Sequence, residues 1–197
     1  MSKARAEKIK LVLFDVDGVL TDGSIWLFPV GVGVEPTQAA GVKAEPGGHP
    51  LVNMVEAKAF HAHDGTAVSL ARAAGLKVGL ITKRMTEAVR VRARDLRLDY
   101  VLQGVADKRV ALEEILHTEG LQAEEVAFVG DDIIDLPIMR ACGLAFAVPN
   151  ARAQVKEAAH VITERAGGQG AARDAVEYIL SAQNKLKDAM AAYLRGD

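Results

Sequence analysis

The sequence predicts an α/β protein with a Rossmann-like parallel sheet and helices on both faces of the sheet. Short apolar runs rich in β-branched residues alternate with helical patterns along the 197-residue chain. Several of these runs end in carboxylates or hydroxyls, and ligands bind at the carboxyl ends of strands in such sheets. The chain is long enough for one such domain, and its 50% hydrophobic content can fill a substantial core.

The predicted elements follow this alternation in chain order. We expect strands near residues 9–14, 77–81, 99–102, 125–129, 143–147 and 160–162. We expect helices near residues 64–74, 85–96, 107–119, 132–140, 151–158 and 170–194, with a C-terminal helix filling about 170–195. Residues 1–197 are therefore predicted to be a single domain.

One segment, about residues 21–63, interrupts the alternation. It holds four of the six prolines, Pro29, Pro36, Pro46 and Pro50, and many glycines. The segment is too small for an independent domain. We predict a β-hairpin flap with arms near residues 24–28 and 51–60 and a long irregular tip.

The carboxylates Asp15 and Asp17 follow directly on the first apolar run, where a buried strand meets its loop. One carboxylate can attack phosphorus while the other carries the proton of the leaving group. A divalent cation would hold the phosphate and the nucleophile together against their mutual repulsion. The pair therefore predicts phosphoryl chemistry.

Further groups suited to this chemistry follow in order along the chain. Thr82 ends the second run, where a hydroxyl can bind a phosphoryl oxygen, and Lys108 opens a helical stretch and can supply a positive charge. Asp131, Asp132 and Asp135 follow the run at 126–129. Like charges crowded into one pocket favour protonation unless a cation is bound, so these carboxylates indicate a metal site.

The chain resembles the haloacid dehalogenase superfamily of phosphohydrolases from about residue 10 to residue 179. Within that superfamily it is similar to the 3-deoxy-D-manno-octulosonate 8-phosphate phosphatase branch. The segments that carry the resemblance are DVDGVLTDG from Asp15, Ile81-Thr82, QGVADK ending at Lys108, and GDDIIDLP from Gly130. The resemblance implies the haloacid dehalogenase fold and an Mg²⁺-dependent phosphatase that acts on a phosphorylated sugar acid.

The same resemblance implies a role for each matching residue. Asp15 would be the nucleophile, forming an aspartyl-phosphate, and Asp17 the general acid/base. Mg²⁺ would be bound by the carboxylates of Asp15 and Asp131 and by the backbone carbonyl of Asp17. Thr82 and Lys108 would bind the phosphoryl group.

Other polar residues have two interpretations each. Asp132 and Asp135 either orient the metal ligands or cap the helix from residue 133. His63, Asp64 and Arg84 are predicted to contact the substrate, although Asp64 could instead be a helix cap and Arg84 a surface arginine at a helix start. His61 and His63 also suggest zinc, but two histidines without further partners make an incomplete site.

The chain departs from the resembling branch at substrate-recognition positions. The branch usually has Ile-Thr-Gly-Arg at the second motif, an arginine at the place of His63, and Gly-Gly-Arg-Gly where this chain has Gln169 as third residue. The reaction is therefore predicted more firmly than the sugar. A nonulosonate 9-phosphate or another small phosphate ester stays an alternative to 3-deoxy-D-manno-octulosonate 8-phosphate.

Three other classes of protein remain open. A response-regulator receiver also combines an acidic Mg²⁺ pocket with a Thr and a Lys, but Asp17 supplies an acid/base that a phosphoacceptor module does not need. A non-catalytic assembly module would be expected to lose Asp15 or Asp17, and both are present. A phosphomutase would ordinarily need a cap.

Composition excludes several partners. The net charge of -2 offers no basic field for nucleic acid, and the Lys/Arg cluster in the first ten residues is predicted to be a solvated tail. The apolar runs are too short to span a bilayer, and no secretory signal is apparent, so we predict a cytoplasmic protein. Cys142 is expected to be a small buried hydrophobe.

Assembly is predicted from apolar residues on the flap and on the C-terminal helix. The flap offers Trp26, Leu27, Phe28, Leu51, Val52 and Met54, and the helix continues its apolar stripe through Val176, Ile179, Leu186, Met190 and Tyr193. The resembling branch forms tetramers through a shorter hairpin. We therefore predict a homotetramer, or at least a dimer.

Overall fold

The computed structural model describes residues 2–29 and 54–196 and contains a six-stranded parallel sheet. In chain order, the strands of the described residues, two of which (β2 and β3) lie outside this sheet, are β1 (Leu11–Phe14), β2 (Trp26–Pro29), β3 (Met54–Ala57), β4 (Lys77–Ile81), β5 (Tyr100–Leu102), β6 (Val126–Gly130), β7 (Leu144–Ala147) and β8 (Val161–Ile162). The order in the sheet is β5-β4-β1-β6-β7-β8, and every neighbouring pair is parallel. The six strands predicted for this sheet are all present.

Helices connect these strands and cover the sheet. They are α1 (Ser2–Ala6), α2 (Ala62–Ala73), α3 (Glu87–Leu96), α4 (Lys108–Glu119), α5 (Leu136–Ala141), α6 (Ala153–Ala158), α7 (Ala171–Ala182) and α8 (Leu186–Arg195). Helices α1, α2, α7 and α8 pack together, whereas α4, α5 and α6 form a second packed group. The predicted fold class, an α/β sheet flanked by helices, is confirmed.

The core lies along the three central strands, β1, β6 and β7. Every residue of these strands is buried, and the largest fully buried side chains include Phe14, Phe128 and Phe146. A central strand of a parallel sheet is covered on both faces, which explains why these segments are continuously apolar rather than alternating. Cys142 lies in the same core, and burial raises the pKa of its thiol to about 12, as expected for a buried hydrophobe.

The predicted helix at 170–194 is in fact two helices, α7 and α8. Asn184 adopts a left-handed conformation with φ of 56° between them, a geometry that asparagine tolerates better than most residues. Gln183 donates to the carbonyls of Ala6 and Ile9 at 3.0 and 2.7 Å. The break therefore follows from tertiary contacts that a helical periodicity does not reveal.

The C-terminal apolar stripe is largely used within the chain. Val176 and Ile179 are fully buried, and Leu186 and Met190 pack against the same core, whereas Tyr193 is 43% exposed. Because α8 lies on α2, most of the stripe covers its own domain. The stripe is thus weaker support for assembly than the sequence suggested.

The N-terminal segment is not the solvated tail that its charge predicts. Residues 2–6 form α1, which packs against α7. The Arg5 guanidinium donates to the Gly143 carbonyl at 2.7 Å, and the Ser2 hydroxyl donates to the His160 carbonyl at 3.1 Å. Ala6 is fully buried. These two hydrogen bonds, the one from Gln183 to the Ala6 carbonyl and the packing of small side chains anchor this helix.

Strands β2 and β3 form a separate antiparallel pair after β1, with Trp26 opposite Ala57 and Pro29 opposite Met54. These strands are shorter than the predicted arms. The predicted tip, and the part of the second arm at 51–53, lie outside the described residues. The division of the chain into a hydrolase domain with a flap insertion stays a prediction. No described helix has the length and apolar character that crossing a membrane requires.

Candidate active site

Asp15 stands at the carboxyl end of β1, in the middle of the sheet. Its carboxylate is 4% exposed, and its backbone amide donates to the Val129 carbonyl at 3.0 Å. The chain then turns tightly through Gly18, whose φ is 85°. A Cβ on Gly18 would lie 2.1 Å from Asp131 Oδ2, so only glycine lets this turn approach that carboxylate.

The end of β6 brings the second set of carboxylates to the same edge. Asp135 is completely buried, and its Oδ2 accepts from the amides of Asp131 and Asp132 at 3.0 and 3.3 Å. Asp132 accepts from the Ile133 amide at 2.7 Å and so caps the short turn Ile133–Asp135. Asp135 therefore holds the backbone around Asp131, whereas Asp132 has the geometry of a cap.

Lys108 joins the two sets. It is the first residue of α4, which Asp107 caps by accepting from the Arg109 amide at 2.9 Å. The buried Lys108 ammonium lies 2.7 Å from Asp15 Oδ1 and 2.6 Å from Asp135 Oδ1. Burial by itself lowers the pKa of this ammonium, but the two negative charges outweigh that effect and raise its pKa. Lys108 is therefore a permanent cation beside Asp15.

Thr82 follows β4, the neighbour of β1, at the same edge of the sheet. The side chain is buried, and its hydroxyl accepts from the Arg84 amide at 3.3 Å. The Thr82 carbonyl accepts from the Val105 amide at 3.1 Å, which ties the β4 loop to the segment before α4. The hydroxyl can donate its own proton to a phosphoryl oxygen.

The carboxylates of Asp15, Asp131 and Asp135 have the arrangement that a cation requires. Each offers an oxygen within 4.8 Å of the others. Asp131 Oδ1 is buried and has no hydrogen-bond partner among the described residues. Burial, followed by the charges of Asp15 and Asp135, raises the pKa of Asp131 to about 7. Burial and the charge of Asp135 raise the pKa of Asp15 to about 6.

A hard divalent cation such as Mg²⁺ fits this set of oxygen ligands. Asp135 already accepts from Lys108 and from two backbone amides. Asp15 Oδ1 also contacts Lys108, so the oxygen of this cluster without a hydrogen-bond partner among the described residues is Asp131 Oδ1. Asp15 and Asp131 are the two carboxylates that the resemblance names as ligands. In the described part of the chain no comparable cluster includes His61 or His63, so the zinc interpretation has no support.

The predicted substrate contacts are only partly at the site. Arg84 reaches it: its guanidinium lies 2.6 Å from Glu56 Oε2 and 3.8 Å from Asp17 Oδ2. His63 is exposed in the first turn of α2, with its ring edge-on to His61 at 4.7 Å between centroids. These placements leave substrate binding by Arg84 and His63 as predictions.

One oxygen of Asp64 has a structural partner, whereas its Oδ2 is buried without a hydrogen-bond partner among the described residues. The residue is buried, and its Oδ1 accepts from the Arg173 amide at 3.1 Å, at the start of α7. Burial raises the pKa of this carboxyl group. The cap of α2 is His61, whose Nδ1 accepts from the His63 amide. Asp64 thus ties α2 to α7, and its assignment to substrate binding stays untested.

Sequence reasoning missed Asn150, which stabilises the loop that follows Asp15. Its amide nitrogen donates to the Gly18 carbonyl at 3.0 Å, and its amide oxygen accepts from the Gly167 amide at 2.8 Å. The Gly168 amide donates to the Val19 carbonyl at 2.9 Å. Its position could have indicated this role, because Asn150 is a polar residue shortly after β7, and other polar residues of the site also follow strand ends. The glycines before Gln169 therefore pack against the loop that follows Asp15.

Sequence reasoning also missed Glu56 and Lys58. Glu56 lies in the hairpin strand β3 and Lys58 directly follows that strand, where charged residues ordinarily face solvent. The structure instead turns the Lys58 ammonium onto the carboxylates of Asp17 and Glu56. No local sequence pattern identifies this contact, because it joins residues 41 positions apart.

Comparisons with known proteins agree with this geometry. A family profile described as haloacid dehalogenase-like hydrolase matches residues 81–173. The chain is 36% identical over 185 residues to the 3-deoxy-D-manno-octulosonate 8-phosphate phosphatase KdsC of Yersinia pestis, a match that covers 94% of this chain and 87% of that protein.

Solved structures are similar over nearly the whole chain. One is the Moraxella catarrhalis 3-deoxy-D-manno-octulosonate 8-phosphate phosphatase in complex with magnesium ion, phosphate ion and KDO, with TM-score 0.81, 31% identity and 97% of both chains covered. Another is the cobalt-bound form of the Haemophilus influenzae deoxy-D-mannose-octulosonate 8-phosphate phosphatase YrbI, with TM-score 0.76 and 32% identity, covering 92% of this chain and 93% of that one.

The packing of Gly167 against the loop that follows Asp15 predicts a specific mutational effect. A Cβ on Gly167 would lie 1.7 Å from the Gly18 carbonyl oxygen, so Gly167→Ala must displace that loop and should destabilise the protein by about 1–3 kcal/mol. Turnover should fall as well. Gly75→Ala is the control, because its Cβ meets nothing within 4 Å and only its positive φ opposes it. Parental turnover in Gly167→Ala would contradict the predicted coupling.

The raised pKa values predict how cation binding depends on pH. The folded protein keeps protons on Asp15 and Asp131 up to about pH 6 and 7, whereas the unfolded chain loses them near 3.8. The free energy of unfolding that these two groups contribute is therefore fully present below about pH 3.8. It is lost as the pH rises through about 6 for Asp15 and about 7 for Asp131.

Mg²⁺ replaces those protons, so it should raise the melting temperature more at about pH 8 than at about pH 5. Scanning calorimetry with and without Mg²⁺ at both pH values measures this difference. Asp131→Asn should lose most of the Mg²⁺ effect at the higher pH. Equal Mg²⁺ effects at both pH values would show that these carboxylates do not bind the cation.

Proposed function

We propose that this chain, which belongs to the haloacid dehalogenase-like hydrolases, dephosphorylates a phosphorylated sugar acid. Its relatives of the 3-deoxy-D-manno-octulosonate 8-phosphate phosphatase type show that it is a phosphoric monoester hydrolase. The first candidate substrate is 3-deoxy-D-manno-octulosonate 8-phosphate. The observation that carries this proposal is the buried Lys108 ammonium between Asp15 and Asp135, together with a buried Asp131 oxygen that has no hydrogen-bond partner among residues 2–29 and 54–196.

The proposed first step transfers the phosphoryl group to Asp15. A carboxylate oxygen of Asp15 attacks phosphorus, and the bond from phosphorus to the ester oxygen breaks. Asp17 gives its proton to the departing sugar oxygen. Lys108 and Thr82 hold the phosphoryl oxygens, so their positive charge and hydroxyl donor are already in place when charge shifts during transfer.

The proposed second step releases phosphate. Asp17, now ionised, takes a proton from water as the water oxygen attacks phosphorus. The bond between phosphorus and Asp15 breaks, which restores the Asp15 carboxylate. A cation bound by Asp15 and Asp131, and by the Asp17 carbonyl as the resemblance implies, would reduce the repulsion between the carboxylates and the phosphate. We propose Mg²⁺, although a related protein also has a cobalt-bound form.

Arg84 supports an acidic substrate. Its guanidinium lies at the mouth of the site and is 44% exposed, so it can pair with a sugar carboxylate in a bidentate manner. In the structure this guanidinium pairs with Glu56, and a substrate carboxylate would have to displace Glu56 from it. The altered residues Lys83, His63 and Gln169 leave a nonulosonate 9-phosphate as the second candidate substrate.

The receiver and assembly-module alternatives are less well supported. The relatives over 94% of the chain are phosphatases, and the complete set of Asp15, Asp17, Thr82, Lys108 and Asp131 is present. A cytoplasmic location of the reaction stays a prediction.

The decisive experiment measures phosphate release from a panel of sugar-acid phosphates by purified protein with Mg²⁺, with EDTA, and with Mg²⁺ restored. We expect the highest kcat/KM with 3-deoxy-D-manno-octulosonate 8-phosphate and no activity in EDTA. Asp15→Asn should abolish turnover while it keeps the fold, and Asp17→Asn should lose about 10²–10⁴-fold. Turnover by Asp15→Asn close to that of the parent would refute the covalent mechanism.

We further propose that the flap mediates a homotetramer, or at least a dimer. Both faces of the β2–β3 pair expose apolar side chains: Trp26, Leu27, Phe28, Met54 and Val55 are each between 40% and 56% exposed. An isolated two-stranded sheet is marginal in water, so burial against another copy would stabilise it. A closed symmetric assembly would then cover the mouth of each site.

Light scattering tests this assembly. The parent should have a mass of about two or four times the 21.0 kDa chain. A double variant, Trp26→Glu with Phe28→Glu, places charges on the exposed strand and should shift the mass towards one chain. Leu194→Glu, on an 83% exposed position of α8, is the control and should not. A parent that is fully active as a single chain would overturn the proposal.

A further inference from the structure

Lys58 is a cation that the proposed reaction does not yet use. It follows β3 directly, and its side chain is completely buried, in contrast to the exposed residues Met54 and Val55 that begin this strand. The ammonium contacts the carboxylate of Asp17 and lies 2.9 Å from Glu56 Oε1. A lysine is rarely buried to this extent unless carboxylates surround it. Its position therefore depends on Asp17 and Glu56.

The contact is the inner end of a line of alternating charges. Arg84 at the mouth of the site binds Glu56 at 2.6 Å, Glu56 binds Lys58, and Lys58 binds Asp17. Each charge has a partner of opposite sign. Lys58 holds one oxygen of the Asp17 carboxylate from the flap side, and Arg84, in the loop after β4, lies 3.8 Å from the other oxygen.

Asp17 needs such support because its own loop provides little. Its side chain is 23% exposed, in contrast to the nearly buried Asp15. A carboxylate on a loop can rotate about two bonds, and proton transfer requires that it face the leaving oxygen. Lys58 and Asp17 are 41 positions apart, so this contact fixes the flap and the acid/base relative to each other.

We propose that Lys58 is a positioning residue that holds the Asp17 carboxylate in its acid/base orientation, so that the flap contributes to proton transfer as well as covering the site. This inference rests on the proposed function. Lys58 is not assigned to the phosphate, because two carboxylates already surround its ammonium and Lys108 lies beside the nucleophile. Glu56 supports Lys58, and Arg84 supports Glu56.

The test compares leaving groups in the first turnover. A sugar alkoxide needs a proton as it departs, whereas p-nitrophenolate is a weak base and departs without one. Lys58→Met should slow cleavage of a sugar-acid phosphate by about 10-fold or more, a part of the roughly 10²–10⁴-fold that acid assistance typically contributes. The initial burst of p-nitrophenolate, which reports only transfer to Asp15, should stay within about twofold of the parent by the same reasoning.

Two variants control for other effects of the substitution. Lys58→Arg should recover most of the sugar-phosphate rate, since a guanidinium can also pair with two carboxylates. Lys77→Met removes a lysine from a surface pair with Glu119 and should leave both rates unchanged. If Lys58→Met does not fold by circular dichroism, Glu56→Gln provides the same comparison with a smaller expected loss. An equal loss with both leaving groups would overturn the proposal.

A double-mutant cycle separates this inference from the function itself. Steady-state turnover of p-nitrophenyl phosphate still requires Asp17 as the base of the second step. If Lys58 acts only through Asp17, Lys58→Met should lower this turnover in the parent and change it less than about twofold in Asp17→Asn. Independent, multiplicative losses would refute the positioning role. Absence of activity towards every sugar-acid phosphate would instead refute the proposed substrate and leave the cycle valid.

Discussion

The site depends above all on one buried ion-pair arrangement, in which Lys108 holds Asp15 and Asp135 together at the carboxyl edge of the sheet. Without the Lys108 ammonium these two carboxylates would repel each other in a poorly solvated pocket. Removal of one partner from a buried pair typically costs about 3–5 kcal/mol, because the remaining charge is left without compensation. The position of Lys108 at the start of α4 therefore couples the order of the sheet to the chemistry.

The surrounding backbone is packed to preserve this arrangement. Gly18 passes so close to Asp131 that no side chain fits, and Gly130 is similarly close to Asp135. Asn150 and Gly167 then secure the Gly18 turn from the opposite side. The glycines and amides of three separate loops thus keep the carboxylates close together, while Lys108 balances their charge.

The flap is joined to this centre by charge as well as by chain connectivity. Its strands expose apolar side chains, yet Glu56 within β3 contacts Arg84, and Lys58 directly after β3 contacts Asp17 and Glu56. An apolar outer surface and a charged inner contact would explain how assembly of copies and support of the acid/base could reside in one small element. The sequence interpretation identified the apolar surface but not the charged contact.

Local sequence was sufficient for the strands and for the motif residues at their ends. The continuous apolar runs predict buried parallel strands, and Asp15, Thr82 and Asp131 follow such runs directly, so the sheet places them at one edge. Helix ends were harder to predict. The break at Asn184 and the anchored helix α1 depend on contacts between Gln183 and the N-terminal segment, which no helical period contains.

The sequence by itself determined the fold class, the family resemblance and the catalytic candidates, because these depend on periodicity and on short motifs. Only the tertiary structure decided the partners of each charge. In the folded chain Asp64 accepts a hydrogen bond from the start of α7, Asp135 pairs with Lys108, and Asp17 pairs with Lys58. Electrostatic energy depends on distance in space and on burial, and residues far apart in the chain acquire both only when the chain has folded.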